Sequence, residues 1–325
     1  MKLNLNDFVI VEDIPQSNLS IKLVIPSGCT KKCPFCFNQL NKETKTYDKN
    51  GFLANFQDSL MQIVKEARRR NSDRSISLDI TGNEPTNDIK LFDEVIRRIW
   101  EIKPLFNKIV LTTNGQNLLL VDGLAKQVLD IVNISVHHYD RTKRCKAFGT
   151  SFIFNQLDYK EMISSFGFGK HFTCVCVLYE KLDCDFKHFV FNLVGWAREA
   201  FFDDIRLRSN FYKEDDFFTD YINDDSYGGD IERKEGLTSK VFYVGDMQVT
   251  MLKGVESLVD HVVGVEAVVD DNGLPYLDYG KQYPFSKDYI EHIYIKKPNL
   301  INLTPRRNRQ ETNRKRIETT NTILI

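Results

Sequence analysis

Between residue 20 and about residue 212, short runs alternating apolar with polar residues take turns with longer stretches in which apolar residues recur every three or four positions. A period of two marks a strand, and a spacing of three to four marks a helix. The pattern predicts strands at 20–25, 75–81, 108–114, 131–137, 173–179 and 204–210, with helices at 51–70, 88–103, 117–130, 151–166 and 186–200. Leu53, Phe56, Leu60 and Ile63 form one such helical stripe. Strands separated in this way by helices predict parallel βα units, either a partial barrel or an open doubly wound sheet.

Several strands carry one apolar and one polar face. Ile76, Leu78 and Ile80 alternate with Ser77, Asp79 and Thr81; Val132, Ile134 and Val136 with Asn133, Ser135 and His137; Ile205 and Leu207 with Arg206, Arg208 and Asn210. In a sheet packed on both sides, unpaired polar groups would cost about 1–3 kcal/mol each. The arrangement this favours is a barrel whose helices cover the apolar face and whose polar lumen holds a polar ligand.

Beyond residue 212 the alternation gives way to an aromatic and acidic stretch (Phe217, Phe218, Tyr221, Asp224, Asp225) and then a small β region. There, Asp271-Asn272-Gly273-Leu274-Pro275 reads as a turn between strand-like segments 264–269 and 275–278. The expected organisation is an N-terminal segment (1–19), a core (20–212), an α+β extension capping the barrel (213–295) and a mobile basic tail (296–325). The tail carries Lys296, Lys297, Arg306, Arg307, Arg309, Arg314, Lys315 and Arg316 against Glu311 and Glu318. It reads as a solvated terminus or as a contact for an acidic partner or RNA.

Composition narrows the classes. The 325 residues hold 44 Lys+Arg against 45 Asp+Glu and are 42% hydrophobic, which suits a folded chain and gives no general attraction to nucleic acid or anionic membrane. No apolar run approaches the roughly 18 residues of a bilayer span, and Asp7, Glu12 and Asp13 do not suit a signal peptide, so a cytoplasmic protein is expected. The odd count of seven cysteines, all before residue 185, argues for metal-binding, reactive or buried thiols over a disulfide framework.

Three of them stand close together. Cys29-Thr30-Lys31-Lys32-Cys33-Pro34-Phe35-Cys36 follows the first strand in a loop opened by Pro26-Ser27-Gly28. Soft thiolates select iron–sulfur clusters or zinc, and three ligands on a four-iron cluster leave one iron open for chemistry. The alternative is a zinc knuckle completed by His137 or His138.

The C-x-x-x-C-x-x-C spacing, with an aromatic before the last cysteine and the first strand of a βα repeat ahead of it, resembles the radical S-adenosylmethionine (SAM) superfamily. Gly82-Asn83-Glu84-Pro85 at the end of the second strand resembles that family's Gly-Gly-Glu-Pro motif, whose backbone holds the amino group of SAM. Thr112-Thr113-Asn114-Gly115 ends the third strand, and Ser135 ends the fourth, where members often bind SAM. Asn83 departs from the second glycine, and asparagine is among the residues that tolerate left-handed geometry.

The resemblance implies a partial (β/α)6 TIM-like barrel with a single [4Fe–4S] cluster on Cys29, Cys33 and Cys36, and SAM chelated by the fourth iron. SAM contacts are expected at Phe35, Gly82, Asn83, Glu84, Thr112, Asn114, Ser135 and Arg208. An electron from a donor such as flavodoxin or ferredoxin would cleave SAM to a 5′-deoxyadenosyl radical that abstracts hydrogen from the substrate. Asp79, His137, His138, Arg206 and Asn210 are the catalytic candidates, and Asn133 also faces the lumen. Two arginines in one buried row need anions: one the SAM carboxylate, the other a substrate carboxylate or phosphate, unless they pair internally with Asp79, Asp204 or Glu180. The expected substrate is a polar, anionic small metabolite such as a nucleotide, sugar nucleotide or amino acid derivative. Peptide or RNA modification is one alternative, and a non-catalytic iron–sulfur or zinc protein using its basic tail is another. Cys174 and Cys176, with Cys145 and Cys184, could in principle hold a second cluster; residues 185–325 contain no cysteine, which argues against a peptide maturase with C-terminal auxiliary clusters.

Overall fold

The structure is a computed structural model and describes residues 8–13, 19–36, 47–70, 72–151, 153–167, 169–210, 216–234, 237–253, 262–263, 266–276 and 292–296. After β1 (Phe8–Asp13), the chain runs through β2 (Leu19–Ile25), α1 (Lys49–Arg70), β3 (Ile76–Gly82), α2 (Ile89–Ile102), β4 (Lys108–Thr113) and α3 (Gly123–Val128). It continues through β5 (Ile131–Ser135), α4 (Arg141–Phe148), α5 (Gln156–Phe166), β6 (His171–Leu178), α6 (Phe186–Glu199) and β7 (Asp204–Ser209). Strands β2 to β7 lie side by side in chain order, every neighbour parallel.

The predicted alternation becomes two different surfaces. Ile76, Leu78 and Ile80 of β3 and Ile205 and Leu207 of β7 are buried beneath the helices, while Ser77, Asp79, Thr81, Arg206 and Arg208 are half-buried on the inner face. On the helical side, α2 supplies Leu91, Phe92, Val95, Ile96 and Ile99, a stripe at the spacing that keeps one face on the sheet.

Helix starts follow side-chain caps. Asp88 accepts from Leu91 N at 3.1 Å to begin α2, and Asn155 and Asp158 form a reciprocal capping box that begins α5 at residue 156, later than the predicted 151. The predicted helix 117–130 is broken: Leu118–Leu120 form one 3₁₀ turn, and Asp122 starts α3 afresh by accepting from Leu124 N. The helix α4 was not expected, because Arg-Thr-Lys-Arg-Cys-Lys-Ala-Phe has no apolar stripe. Asp140 caps its start, and Gly149, with φ of 58°, ends it in left-handed geometry.

The residues expected to cap the barrel supply strands to both edges of the same sheet. Following α7 (Asp216–Ile222) come β8 (Ile231–Lys234), β9 (Leu237–Val244), β10 (Met247–Lys253), β11 (Val262–Val263), β12 (Glu266–Val269), β13 (Pro275–Tyr276) and β14 (His292–Lys296). β10 runs parallel beside β7, and β12 parallel beside β2, giving an unclosed sheet ordered β13-β12-β2-β3-β4-β5-β6-β7-β10-β9-β8. The turn at 271–275 forms as predicted: the Asp270 carboxylate accepts from Asn272 N and Leu274 N, each at 2.9 Å, and Ser59 of α1 donates to Gly273 O at 2.6 Å. The N-terminal β1 pairs with β14 in a separate small sheet. The basic tail beyond Lys296 lies outside the described residues. Among the described residues no helix is long and apolar enough to cross a membrane.

Candidate functional site

The C-terminal ends of β2, β3, β4 and β5 converge at one rim of the sheet, and the cysteine loop is laid across it. The loop is fastened from two sides. On one, Ser27 donates through Oγ to Glu84 O and accepts from Asn83 Nδ2 at 3.1 Å. On the other, Lys32 N donates to Phe148 O at 2.9 Å, where α4 ends. The fit there is close: a Cβ on Gly149 would stand 2.6 Å from Lys32 O. Phe35 packs against His137 and Tyr179, with ring centroids 4.8 and 4.9 Å apart.

All three loop cysteines are free thiols, Cys29 exposed and Cys33 and Cys36 half-buried. Burial raises the Cys29 pKa and pushes Cys33 up to about 12, and neighbouring thiolates of the same loop add repulsion. Three thiolates so placed are stable only around a strong cation, which is the demand of a bound metal centre. Among the described residues, no three His, Cys, Asp or Glu side chains close on a single ion. His137 Nδ1 accepts from Val177 N at 3.1 Å and His138 Nδ1 from Asp140 N at 2.8 Å, so each ring spends one nitrogen on the backbone. A multi-iron cluster, in which each sulfur meets its own iron, does not require the three thiols to close on a single ion.

The Gly82–Pro85 turn resolves the departure at Asn83. Gly82 carries the unusual backbone, with φ of 142°, and a Cβ there would lie 2.8 Å from Ile25 O of the neighbouring strand. Asn83 is not in the left-handed region; among the described non-glycine residues only His137 and Phe201 are. Its amide instead ties the turn to Ser27 and to the Tyr47 hydroxyl.

Glu84 is the junction of the site. It is 2% exposed, and its carboxylate accepts from Thr86 N at 3.1 Å, Thr86 Oγ1 at 2.7 Å, Thr113 Oγ1 at 2.6 Å and Asn114 N at 2.6 Å. Burial drives its pKa up and the four donors pull it back. The carboxylate thus binds the turn after β3 to the Thr113-Asn114-Gly115 turn after β4. Asn114 in turn brings its amide within 3.9 Å of Cys29 Sγ. Three residues of this junction, Ser27, Thr86 and Thr113, were not among the expected SAM contacts. Thr112, which was, lies on the inner face and accepts from Asn133 Nδ2 at 3.3 Å.

On the inner face, register aligns the remaining candidates in rows. Thr112, Asn133, Thr173 and Asp204 follow one another across β4 to β7, and Ser135, Val175 and Arg206 form the next row toward the rim. Asp79 pairs with Lys22 on the adjacent strand and accepts from Ser20 Oγ at 3.1 Å. Asp204 accepts from His171 Nε2 at 3.1 Å, and Glu180 is held by Lys146 at 3.0 Å. The three carboxylates considered as internal partners for the arginines are thus engaged elsewhere. Arg206 feels the charge of Asp204 beyond ion-pair distance and makes no hydrogen bond or ion pair among the described residues. Arg208 and Asn210, at the rim end of the same strand, are both engaged by neighbours.

The two histidines differ. His137 is buried with φ of 69°; burial pushes its pKa down to about 3, leaving a neutral ring that props Phe35 and Phe148. His138 turns toward the helices, against Tyr139 and Phe189, and burial likewise lowers its pKa to about 4. Cys174 and Cys176, with sulfurs 4.0 Å apart, are buried on the helix-covered face, and among the described residues no third ligand joins them as a metal site.

The sequence model of the radical SAM superfamily matches residues 23–189, more than half of the chain. No curated protein sequence matches significantly. Among solved structures, SuiB of Streptococcus suis bound to the precursor peptide SuiA is 18% identical over 63% of this chain and 46% of its own, with a TM-score of 0.43. Methylornithine synthase (PylB) is 12% identical over 60% of this chain and 54% of its own, with a TM-score of 0.41. The queuine lyase from Clostridium spiroforme bound to SAM and queuine is 12% identical over 62% and 79%, with a TM-score of 0.37. The chain spans less than half the length of the SuiB chains it resembles. The family match takes in the cysteine loop, the Glu84 junction and Ser135, and by it the chain belongs to the radical SAM superfamily, whose cofactors are a [4Fe–4S] cluster and S-adenosylmethionine.

Proposed function

We propose that this protein applies radical SAM chemistry to a small anionic metabolite bound against the inner face of the sheet, with Arg206 as its anion anchor. When bound and reduced by a donor such as flavodoxin or ferredoxin, the cluster and SAM together supply the hydrogen-abstracting species. Everything else is the work of the chain. Cys29, Cys33 and Cys36 hold the cluster, and Phe35, backed by His137 and Tyr179, fixes the loop that carries them. The Gly82–Glu84 turn and Asn114, locked to each other by the Glu84 carboxylate, present their backbone to SAM, with Ser135 on the next strand. Arg208 is the candidate for the SAM carboxylate.

The observation that carries the substrate assignment is the state of Arg206. It is half-buried in the same cross-strand row as Ser135, while Asp79, Asp204 and Glu180 are each engaged by another side chain. A half-buried guanidinium without a carboxylate is poorly compensated, and a bidentate carboxylate or phosphate repairs it. The test is SAM cleavage to 5′-deoxyadenosine with and without pools of anionic metabolites. Arg206→Ala should keep the basal cleavage and lose roughly 10- to 100-fold of the stimulation, the scale of a charged hydrogen-bonded pair. Loss of basal cleavage to the same degree would make Arg206 a SAM ligand, and unchanged stimulation would make it structural; either result refutes the assignment.

A further inference from the structure

The inner face does not end at Arg206. Through the β7–β10 and β10–β9 pairings, Arg206 is followed by Thr250 and then Val241, and in the adjacent row Asp204 is followed by Gln248 and then Tyr243. These side chains therefore share the face that carries Ser135 and Arg206. The opposite face of the same hairpin is ordinary core: Met247, Val249 and Met251 are buried, and Phe242 is stacked beneath Tyr227 at 4.9 Å. Tyr243, by contrast, is 60% exposed. It is an aromatic ring left open on the face that also carries Gln248, Thr250 and, two strands away, Arg206.

The ring is also held. Tyr243 donates from its hydroxyl to Gln248 Oε1 at 3.1 Å, and Gln248 Nε2 donates to Thr250 Oγ1 at 3.2 Å. Gln248 keeps one amide hydrogen and Thr250 its hydroxyl hydrogen for a ligand. A platform fixed in this way loses little rotational freedom when a ring stacks on it. The backbone positions of Arg206 and Tyr243 are two strands and two residues apart, roughly 12 Å by standard strand spacing, before the side chains lean inward.

We infer that the β9–β10 hairpin is the ring-binding half of the substrate site: Tyr243 stacks a planar heterocycle, Gln248 and Thr250 hydrogen-bond its edge, and Arg206 holds the anionic group at the far end. The substrate class this selects is a phosphate joined to a heterocycle through a sugar-sized linker, as in a nucleoside monophosphate. The inference rests on the proposed role of Arg206 and extends it to β9 and β10, which like Arg206 lie outside the family match. A lone surface tyrosine would be ordinary; this one is tethered on the inner face, one row along from the anion anchor.

The test uses the full chain, anaerobically reconstituted, with SAM present at saturation so that the adenosyl pocket is filled. Binding of AMP, GMP, CMP and UMP is compared with that of ribose 5-phosphate by equilibrium dialysis. At least one monophosphate should bind about tenfold more tightly than the ring-free sugar phosphate, the scale of one stacked base. Tyr243→Ala should erase that advantage without changing ribose 5-phosphate binding, and Tyr243→Phe should retain most of it. Absence of any ring advantage in the unmodified protein, or its survival in Tyr243→Ala, overturns the inference. Arg206→Ala separates the two proposals. If ribose 5-phosphate binding depends on Arg206 but the ring adds nothing, only the role of Tyr243 fails; if it is indifferent to Arg206, the anion anchor itself fails, and the inference with it.

Discussion

Replacing Glu84 by Gln is the perturbation whose size the structure fixes best. The side chains are nearly isosteric, so the change leaves packing alone and alters one atom. Glutamine can keep the Oε1 acceptor that serves Thr86 and Thr113, but an NH₂ group must then take the place of Oε2, 2.6 Å from the Asn114 amide nitrogen. Two donors would face each other in a dry pocket. A hydrogen bond to a charged group contributes about 1.5–3 kcal/mol, and its loss here leaves a buried N–H without an acceptor. Against a total stability of about 5–15 kcal/mol, that is a sizeable fraction. At about 2 °C per kcal/mol for a chain of this size, the melting temperature should fall by about 3–6 °C. The assay is thermal unfolding of the apoprotein at neutral pH, followed by the fluorescence of Trp100 and Trp196. SAM affinity of the reconstituted protein should fall as well, because the Asn114 turn is no longer locked to Gly82–Pro85. A variant that melts within about 1 °C of the parent would refute the reasoning, since on this scale the carboxylate would then hold nothing.

Further outcomes are expected elsewhere. Cys29→Ala, Cys33→Ala and Cys36→Ala should each fail to retain a cluster on anaerobic reconstitution, whereas Cys145→Ala should keep its iron; iron content decides. Gly149→Ala places a Cβ 2.6 Å from Lys32 O in left-handed backbone, itself about 1–2 kcal/mol unfavourable for alanine, so it should lower the melting temperature and speed cluster loss on dilution. Equal rates of loss in variant and parent would mean that α4 does not brace the cysteine loop. His171 is raised above its ordinary pKa by Asp204. Its contribution is therefore complete below the unfolded value of 6.5 and lost as pH rises through the folded value. The stability gap between the parent and His171→Ala should be wider at about pH 5.5 than at about pH 8.5, and a gap that widens with pH would contradict the pairing.

Much of the barrel was legible because its two faces differ. Alternation in β3, β5 and β7 separated a helix-covered face from a polar one, and the structure keeps that separation. The cysteine loop was legible from spacing alone. What local pattern could not supply was pairing at a distance: nothing within residues 237–253 says that β10 will lie beside β7, and the hairpin turned at Gly245-Asp246 was not foreseen either. The helix α4 was hidden because its eight residues are mostly charged, and only Asp140 and Gly149 announce its ends. At the site, the same alternation that puts Thr112 on the inner face puts Thr113 on the other, beside Glu84. Strand alternation alone separates the two threonines. The histidines illustrate the limit. His137 and His138 are adjacent, yet the irregular backbone at His137, where Val136 N and His137 N both reach Val175 O, decides which way each ring points.

The central claim is that the Cys29–Cys36 loop holds a cluster that cleaves SAM. Its most direct test is anaerobic reconstitution with iron and sulfide, followed by addition of SAM and a strong reductant and measurement of 5′-deoxyadenosine and methionine. About four irons per chain, with both products formed, is the result the account predicts. Zinc in place of iron, or a cluster that leaves SAM intact, would contradict it.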